Sequence, residues 1–300
     1  NGKMKNCLLI LWVMICPPAT LLAQKSYEIH SPHNISLRVN EYGQGKTVIL
    51  LAGGPGFNAN YLKPIWEHLP NYRFVIPDQR GTGLSKLSKI DSTNMSVNSY
   101  VEDLEFLRKY LKLKKIVLAG HSWGGMLAAS YAAKYPKKVE RLILFGSGGV
   151  TQNFFTYFNS NIRMRLTESD LGEAKAAGSL AMNLRAIWPG YFYSRDSALS
   201  TRSLVDTNLA DHNASKINKL TLRDYVRTSH SRALMIRKFK RPVYLIQGRQ
   251  DPVGESTVFE TKGILPQSQI FFIEMCGHLP WLENNTAAKR FYEILNSALK

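Results

Sequence analysis

The chain has 300 residues, of which 44% are hydrophobic and 20% charged, and a formal net charge of +17. This balance is that of a packed globular protein and excludes the disordered and collagen-like classes, while the length suits one large domain or one domain carrying an insertion. The basic residues are scattered and no nucleic-acid motif accompanies them, so the charge points to anionic envelope material or to solubility, not to nucleic-acid binding.

Residues 1–23 read as a secretory signal peptide. Lys3 and Lys5 precede an apolar run at 8–15, and Leu21-Leu22-Ala23 offers a small residue at a cleavage point before Gln24. The run is shorter than the ~20 residues of a membrane span and Pro17-Pro18 follows it. A lipoprotein anchored through Cys16 is disfavoured by the bulky Ile15. The expected protein is therefore exported, periplasmic or secreted, without stable membrane insertion. Loss of Cys7 and Cys16 with the signal leaves Cys276 alone, so no internal disulfide is expected. No zinc-ligand spacing occurs, and neither metal nor cofactor is called for.

Beyond the signal, residues 27–41 alternate loosely and end at Gly43-Gln44-Gly45, which predicts a β-hairpin. Strand-like and helical patterns then alternate: strand 47–51, helix 61–69, strand 73–76, helix 97–111, strand 115–119, helix 123–134 and strand 141–145. Val101, Leu104, Leu107 and Leu111 lie at helical spacing. The alternation stops at Gly148-Gly149 and resumes at 242–246. Strands at 243–247 and 269–274 and a helix at 286–299 complete the chain. The fold class is α/β, a mostly parallel sheet covered by helices on both faces. Core residues are 24–150 and 242–300, and the helical, aromatic and basic segment 151–241 forms an inserted cap.

Gly120-His121-Ser122-Trp123-Gly124 matches the G-x-S-x-G nucleophile elbow, and its context supports the match. An apolar strand leads in, a helix leads out, and the glycines permit a turn too tight for side chains. A serine hydroxyl needs a base to take its proton, and in this fold the partners follow as acid and then histidine. Asp251 ends the strand at 243–247 and His278 lies beyond the next strand, which delivers both to the sheet edge that carries Ser122. His121, inside the elbow, is expected to point away from the nucleophile's exposed face. Glu274 is the rival acid, placed inside the last strand. The oxyanion donors are the backbone N–H of Trp123 and, in the loop Ala52-Gly53-Gly54-Pro55-Gly56, that of Gly54.

On these residues the chain resembles the proline iminopeptidase-like family of α/β-hydrolases, peptidase family S33. The likeness rests on Gly53-Gly54-Pro55-Gly56, on Asp78-Gln79-Arg80-Gly81-Thr82-Gly83-Leu84-Ser85, on Gly120-His121-Ser122-Trp123-Gly124-Gly125, and on Gly248, Asp251, Gly277 and His278. It implies a Ser-Asp-His triad and gives the stretch 78–85 a structural role beside the site. Ala52 stands where the family usually has His, which implies a reshaped oxyanion loop. Family aminopeptidases hold the substrate α-ammonium with cap glutamates near a tryptophan-rich stretch, and no such motif is matched here. Residues 151–241 carry fifteen Lys or Arg against seven Asp or Glu, and an ammonium enclosed without a carboxylate is costly. Glu168, Asp170 and Glu173 are the nearest candidates, but they read as helix-start residues, with Asp170 and Glu173 spaced as a capping box.

The cap aromatics, including Phe154, Phe155, Trp188 and Tyr191, serve to pack the cap onto the core or to wall a broad apolar pocket. Cys276 reads as a packing residue. The expected activity is hydrolysis of a small-molecule ester or lactone through an acyl-enzyme. The alternatives are an aminopeptidase acting on short peptides and a non-catalytic binding protein on the same scaffold.

Overall fold

The computed structural model describes residues 24–31, 35–208 and 213–300, with 206–208 as backbone only. The expected signal peptide, with Cys7 and Cys16, lies outside the described residues. Eight strands form one sheet: β1 (Gln24–Ser31), β2 (Ile35–Tyr42), β3 (Lys46–Leu51), β4 (Tyr72–Pro77), β5 (Ile116–His121), β6 (Val139–Phe145), β7 (Val243–Gly248) and β8 (Ser268–Ile273). Their order is β1-β2-β4-β3-β5-β6-β7-β8. The strands β3 to β8 are parallel, and the β1–β2 hairpin joins antiparallel at β4.

Alternation along each central strand builds two apolar layers. Ile49, Leu51 and Leu118 enter one buried cluster, and Val48, Leu50, Val117 and Ala119 the other. Every residue of β5 is buried, as a strand covered on both faces requires. β3 and β5 are neighbours, but the chain leaves them in opposite directions across the sheet. Open α/β sheets bind ligands at such a switch point. The register pairs Leu51 with Gly120, so the loop after β3 and the turn after β5 emerge side by side.

Two expectations are corrected locally. The predicted helix 61–69 divides into a 3₁₀ turn, Asn60–Leu62, and the helix Lys63–His68, with Pro64 in its first turn. The sequence reading passes directly from β7 to β8, whereas the structure inserts the helix Glu255–Ile264. Parallel neighbours require such a crossover, but this helix buries only Thr257, Val258 and Thr261 and so shows little apolar periodicity. Between β6 and β7 the described residues form helices and turns only, from Phe155–Arg163 to Ser229–Ile236. No helix among the described residues is long and apolar enough to cross a membrane.

The helix Trp123–Lys134 runs through the middle of the molecule with all but its last residue buried. It packs closely because glycine stands at the contacts. A Cβ on Gly124 would lie 2.2 Å from the Leu51 carbonyl oxygen, whereas a Cβ on Gly172, in the helix Glu168–Ala176, meets nothing within 4 Å. Gly124→Ala is therefore expected to lose about 3 kcal/mol or more of unfolding free energy, as an overpacked core does. Gly172→Ala is expected to gain about 0.5–1 kcal/mol from helix propensity. Urea unfolding of the two variants checks the pair, and similar behaviour at both positions would contradict this packing.

Candidate active site

Ser122 stands between β5 and the helix Trp123–Lys134 with φ 53° and ψ −120°, in backbone space that L-residues seldom occupy. Its N–H donates to the Phe145 carbonyl at 3.0 Å. The turn closes because a Cβ on Gly120 would meet the Gly124 carbonyl oxygen at 2.3 Å. Only glycine satisfies that spacing.

Asp251 follows β7 and His278 follows β8. The His278 ring Nδ1 lies 3.0 Å from Oδ1 and 2.9 Å from Oδ2 of Asp251, and Oδ1 also accepts from the Val253 N–H at 2.8 Å. Both side chains are buried. Gly146, with φ +55°, ends β6 against this pair, and a Cβ there would sit 3.1 Å from the His278 Nδ1. Glu274 is corrected as a rival. It lies just beyond the end of β8, exposed and paired with Arg249 at 2.9 Å.

Ser122 and His278 face one cavity of about 350 Å³, within the range of small-molecule sites. No Ser122–His278 hydrogen bond occurs among the described residues; catalytic contacts of this kind tighten on binding substrate. Gly54 and Trp123 line the same cavity. Among the described residues neither backbone N–H donates to another protein group, which leaves both for a ligand. The N–H of Gly53 is committed, donating to the Tyr61 hydroxyl at 2.6 Å. Phe154, Phe155, Trp188 and Tyr191 all reach the cavity wall, and Phe154 and Trp188 are also buried. The two roles proposed for these aromatics are therefore filled by the same side chains.

A buried hydrogen-bond chain links the parts. The Tyr61 hydroxyl, having accepted from Gly53, donates to His121 Nδ1 at 2.9 Å, and His121 Nε2–H then donates to the His278 carbonyl at 3.0 Å. These partners set the Nε2–H tautomer of His121. Its ring lies 4.5 Å from that of His278, centroid to centroid, and His121 is among the residues that line the cavity. Gln79 makes a second link, donating to the Ala52 carbonyl at 2.8 Å and accepting from the Trp123 indole at 2.8 Å. Within the same loop Arg80 forks onto Asp103 at 2.6 and 2.7 Å, in keeping with a structural role for residues 78–85.

Glu283, absent from the sequence reading, braces the histidine loop. Its buried carboxylate accepts from the N–H groups of Gly277 (2.8 Å), Tyr193 (3.1 Å) and Ser194 (2.7 Å). The His278 N–H donates to the Tyr191 carbonyl at 2.7 Å. The insertion is thus bonded to the loop that carries the histidine. Burial pushes the Glu283 carboxyl up, partly offset by these donors and by Arg165. Burial pushes the Arg165 guanidinium down, against the opposing pull of Asp251 and Glu283. An isolated Glu in the sequence carries no signal of this bracing role. Cys276 is fully buried, and burial raises its thiol far above the reactive range.

Three carboxylates of the insertion are engaged elsewhere. Asp170 takes the fork of Arg195 at 2.7 and 2.9 Å, Glu173 pairs with Arg202, and Asp224 pairs with Arg227. The predicted capping box is shifted by three residues: Thr167 is the N-cap and Asp170 its partner. Glu168 and Asp196 are exposed, and the side chains of Asp206 and Asp211 lie outside the described residues. No Asp, Glu, Lys or Arg among the described residues lines the 350 Å³ cavity.

Residues 46–285 match the family of the alpha/beta hydrolase fold, and the chain belongs to that family. Within it the chain resembles proline iminopeptidase-like proteins. It is 37% identical over 109 residues to a proline iminopeptidase of Lactobacillus helveticus, covering 35% of this chain and 37% of that protein. It is 32% identical over 130 residues to a cis-3-alkyl-4-alkyloxetan-2-one decarboxylase of Shewanella oneidensis, covering 43% of this chain and 41% of that protein. Both matches span less than half the length of the relative. The crystal structure of a proline iminopeptidase of Mycobacterium smegmatis superposes with a TM-score of 0.70 at 19% identity, over 92% of this chain and 97% of that one. At that identity the likeness is one of fold.

The buried ring of His121 yields a pH test. Burial, and then the charge of nearby His278, hold its ionisation well below the ordinary value. Unfolded, it takes a proton below about pH 6.5, while the folded ring resists. The unfolded state then binds more protons, so stability falls as pH drops through that window. His121→Gln is expected to flatten the decline in urea-measured stability below pH 6.5. Parallel declines in the two proteins would contradict a neutral His121.

Proposed function

We propose that this protein is a serine hydrolase of neutral carboxylic esters or lactones, with the helical insertion serving as a cap over Ser122. The observation that carries the reading is the cavity itself, lined by aromatic and aliphatic side chains, three asparagines, Ser122, His121 and His278, with no charged side chain other than histidine among the described residues. The α-ammonium of a peptide substrate would enter such a cavity without a carboxylate partner, at high desolvation cost. A neutral acyl chain enters it with gain of buried apolar area.

The chemistry follows from the placement of the groups. Ser122 Oγ attacks the carbonyl carbon while His278 Nε2 takes its proton, and Asp251 holds the ring through Nδ1–H and stabilises the imidazolium. The oxyanion is held by the N–H groups of Gly54 and Trp123. Collapse expels the alcohol, which receives the proton from His278, and leaves an acyl group on Ser122. Water, deprotonated by His278, then attacks that ester and restores the serine. In a lactone the expelled alcohol stays attached to the acyl group until hydrolysis.

The Shewanella oneidensis relative is named for an alkyl-substituted oxetan-2-one, a four-membered cyclic ester, which agrees with an apolar ester-like substrate. The second reading, an aminopeptidase, draws on the proline iminopeptidase relatives. Chromogenic panels separate the two. Neutral acyl esters are expected to be cleaved at least ~100-fold faster, in kcat/KM, than prolyl or other aminoacyl arylamides; a pocket that leaves a buried charge unpaired discriminates on this scale. The reverse order would reject the ester reading.

A further inference from the structure

Beside the catalytic cavity the insertion carries an open groove of about 610 Å³, and the two share Asn159, Asn183 and Ile187 as lining. The groove runs between the helices Phe155–Arg163 and Glu168–Ala176, with Ile162, Leu166 and Leu171 among its walls. Asn183 Nδ2 donates to the Ala174 carbonyl at 3.2 Å, holding the helix Leu180–Ile187 against that of Glu168–Ala176 at this junction.

Its charge differs from that of the cavity. Arg163 and Lys175 line the groove and no Asp or Glu does. Among the described residues neither cation has an ion pair or a side-chain hydrogen bond. Of the acids close by in sequence, Asp170 is taken by Arg195 and Glu173 by Arg202, while Glu168 is exposed and does not line the groove. Arg163 lies four residues from Asn159, one helical turn beyond the shared junction and on the same face. The two adjoining spaces therefore differ in character, apolar in the cavity that holds Ser122 and cationic in the groove.

We propose that the groove is a second subsite that holds an anionic end group, a carboxylate at the end of the substrate far from the scissile carbonyl. The substrate class is then an amphiphilic ester with an apolar middle and an ω-carboxylate. Two cations without acid partners favour an anion there, and the apolar walls accept the chain that leads to it. The inference deepens the ester reading and rests on it for the position of the carbonyl.

The test uses matched aryl esters of C6 to C12 acids, each ending either in a methyl group or in a carboxylate. Calorimetry on Ser122→Ala protein reads binding whether or not the ester is turned over. At low salt the carboxylate ester is expected to bind about fivefold more tightly than its methyl twin at one or more chain lengths, the size of a modest charge pair. Adding Arg163→Ala and Lys175→Ala should abolish that ratio, and 0.5 M salt should shrink it. Gly172→Trp, which projects into the groove from an unobstructed position, should reduce it without touching the cavity wall. Equal binding of the twins at every length, or a ratio that survives the double substitution, overturns the subsite. Turnover by the unsubstituted protein separates the two claims. Hydrolysis without a carboxylate preference in binding rejects the groove alone, and a binding preference without hydrolysis of either ester rejects the ester reading alone.

Discussion

The close approach of the helix Trp123–Lys134 to the end of β3 sets where Ser122 and the loop of Gly53 and Gly54 stand relative to one another. Gly124 lies where any side chain would strike the Leu51 carbonyl, and Gly120 lies where any side chain would strike Gly124. With both contacts closed, the chain passes from strand to helix in one residue and Ser122 is forced to positive φ. That strain, of order 1–3 kcal/mol, is held by the buried sheet on one side and the buried helix on the other. The same approach places the Trp123 N–H beside the loop of Gly53 and Gly54, so the proposed nucleophile and the N–H groups proposed to hold the oxyanion are set by one packing contact.

Around that contact several buried side chains form a hydrogen-bonded frame. Tyr61 and His121 tie the oxyanion loop to the backbone of His278, and Gln79 ties Ala52 to the Trp123 indole. Glu283 joins the histidine loop to the insertion. Buried networks of this kind make a site rigid when fully satisfied, and costly when one member is lost. The insertion is consequently part of the support of His278 as well as the wall of the pocket.

The sheet, and the strand ends that carry the three proposed triad residues, were legible in the sequence because each left a local signature. Continuous apolar runs mark buried parallel strands, and β5, β6 and β7 stand within one to two residues of their expected positions. Ser122, Asp251 and His278 could be placed because strand ends deliver them in a fixed order. Where a signal is tertiary, the sequence was silent. Glu283 and Tyr61 acquire their roles from partners many residues away, and nothing in their neighbourhoods announces a clamp. The helix Glu255–Ile264 went unseen because it buries threonines more than aliphatic residues. The acids of the insertion were visible as residues, but their engagement with Arg195, Arg202 and Arg227 depended on the fold. That engagement, more than the triad residues, underlies the proposal of an ester over a peptide.

The central claim is that Ser122 is an activated nucleophile, and covalent trapping tests it most directly. After incubation with a fluorophosphonate, peptide mass spectrometry should find a single phosphonyl adduct, on Ser122. The adduct should be absent in Ser122→Ala and should form at least ~100-fold more slowly in His278→Ala, in proportion to the lost general base. No adduct in the unsubstituted protein, or an adduct on another residue, would contradict the account.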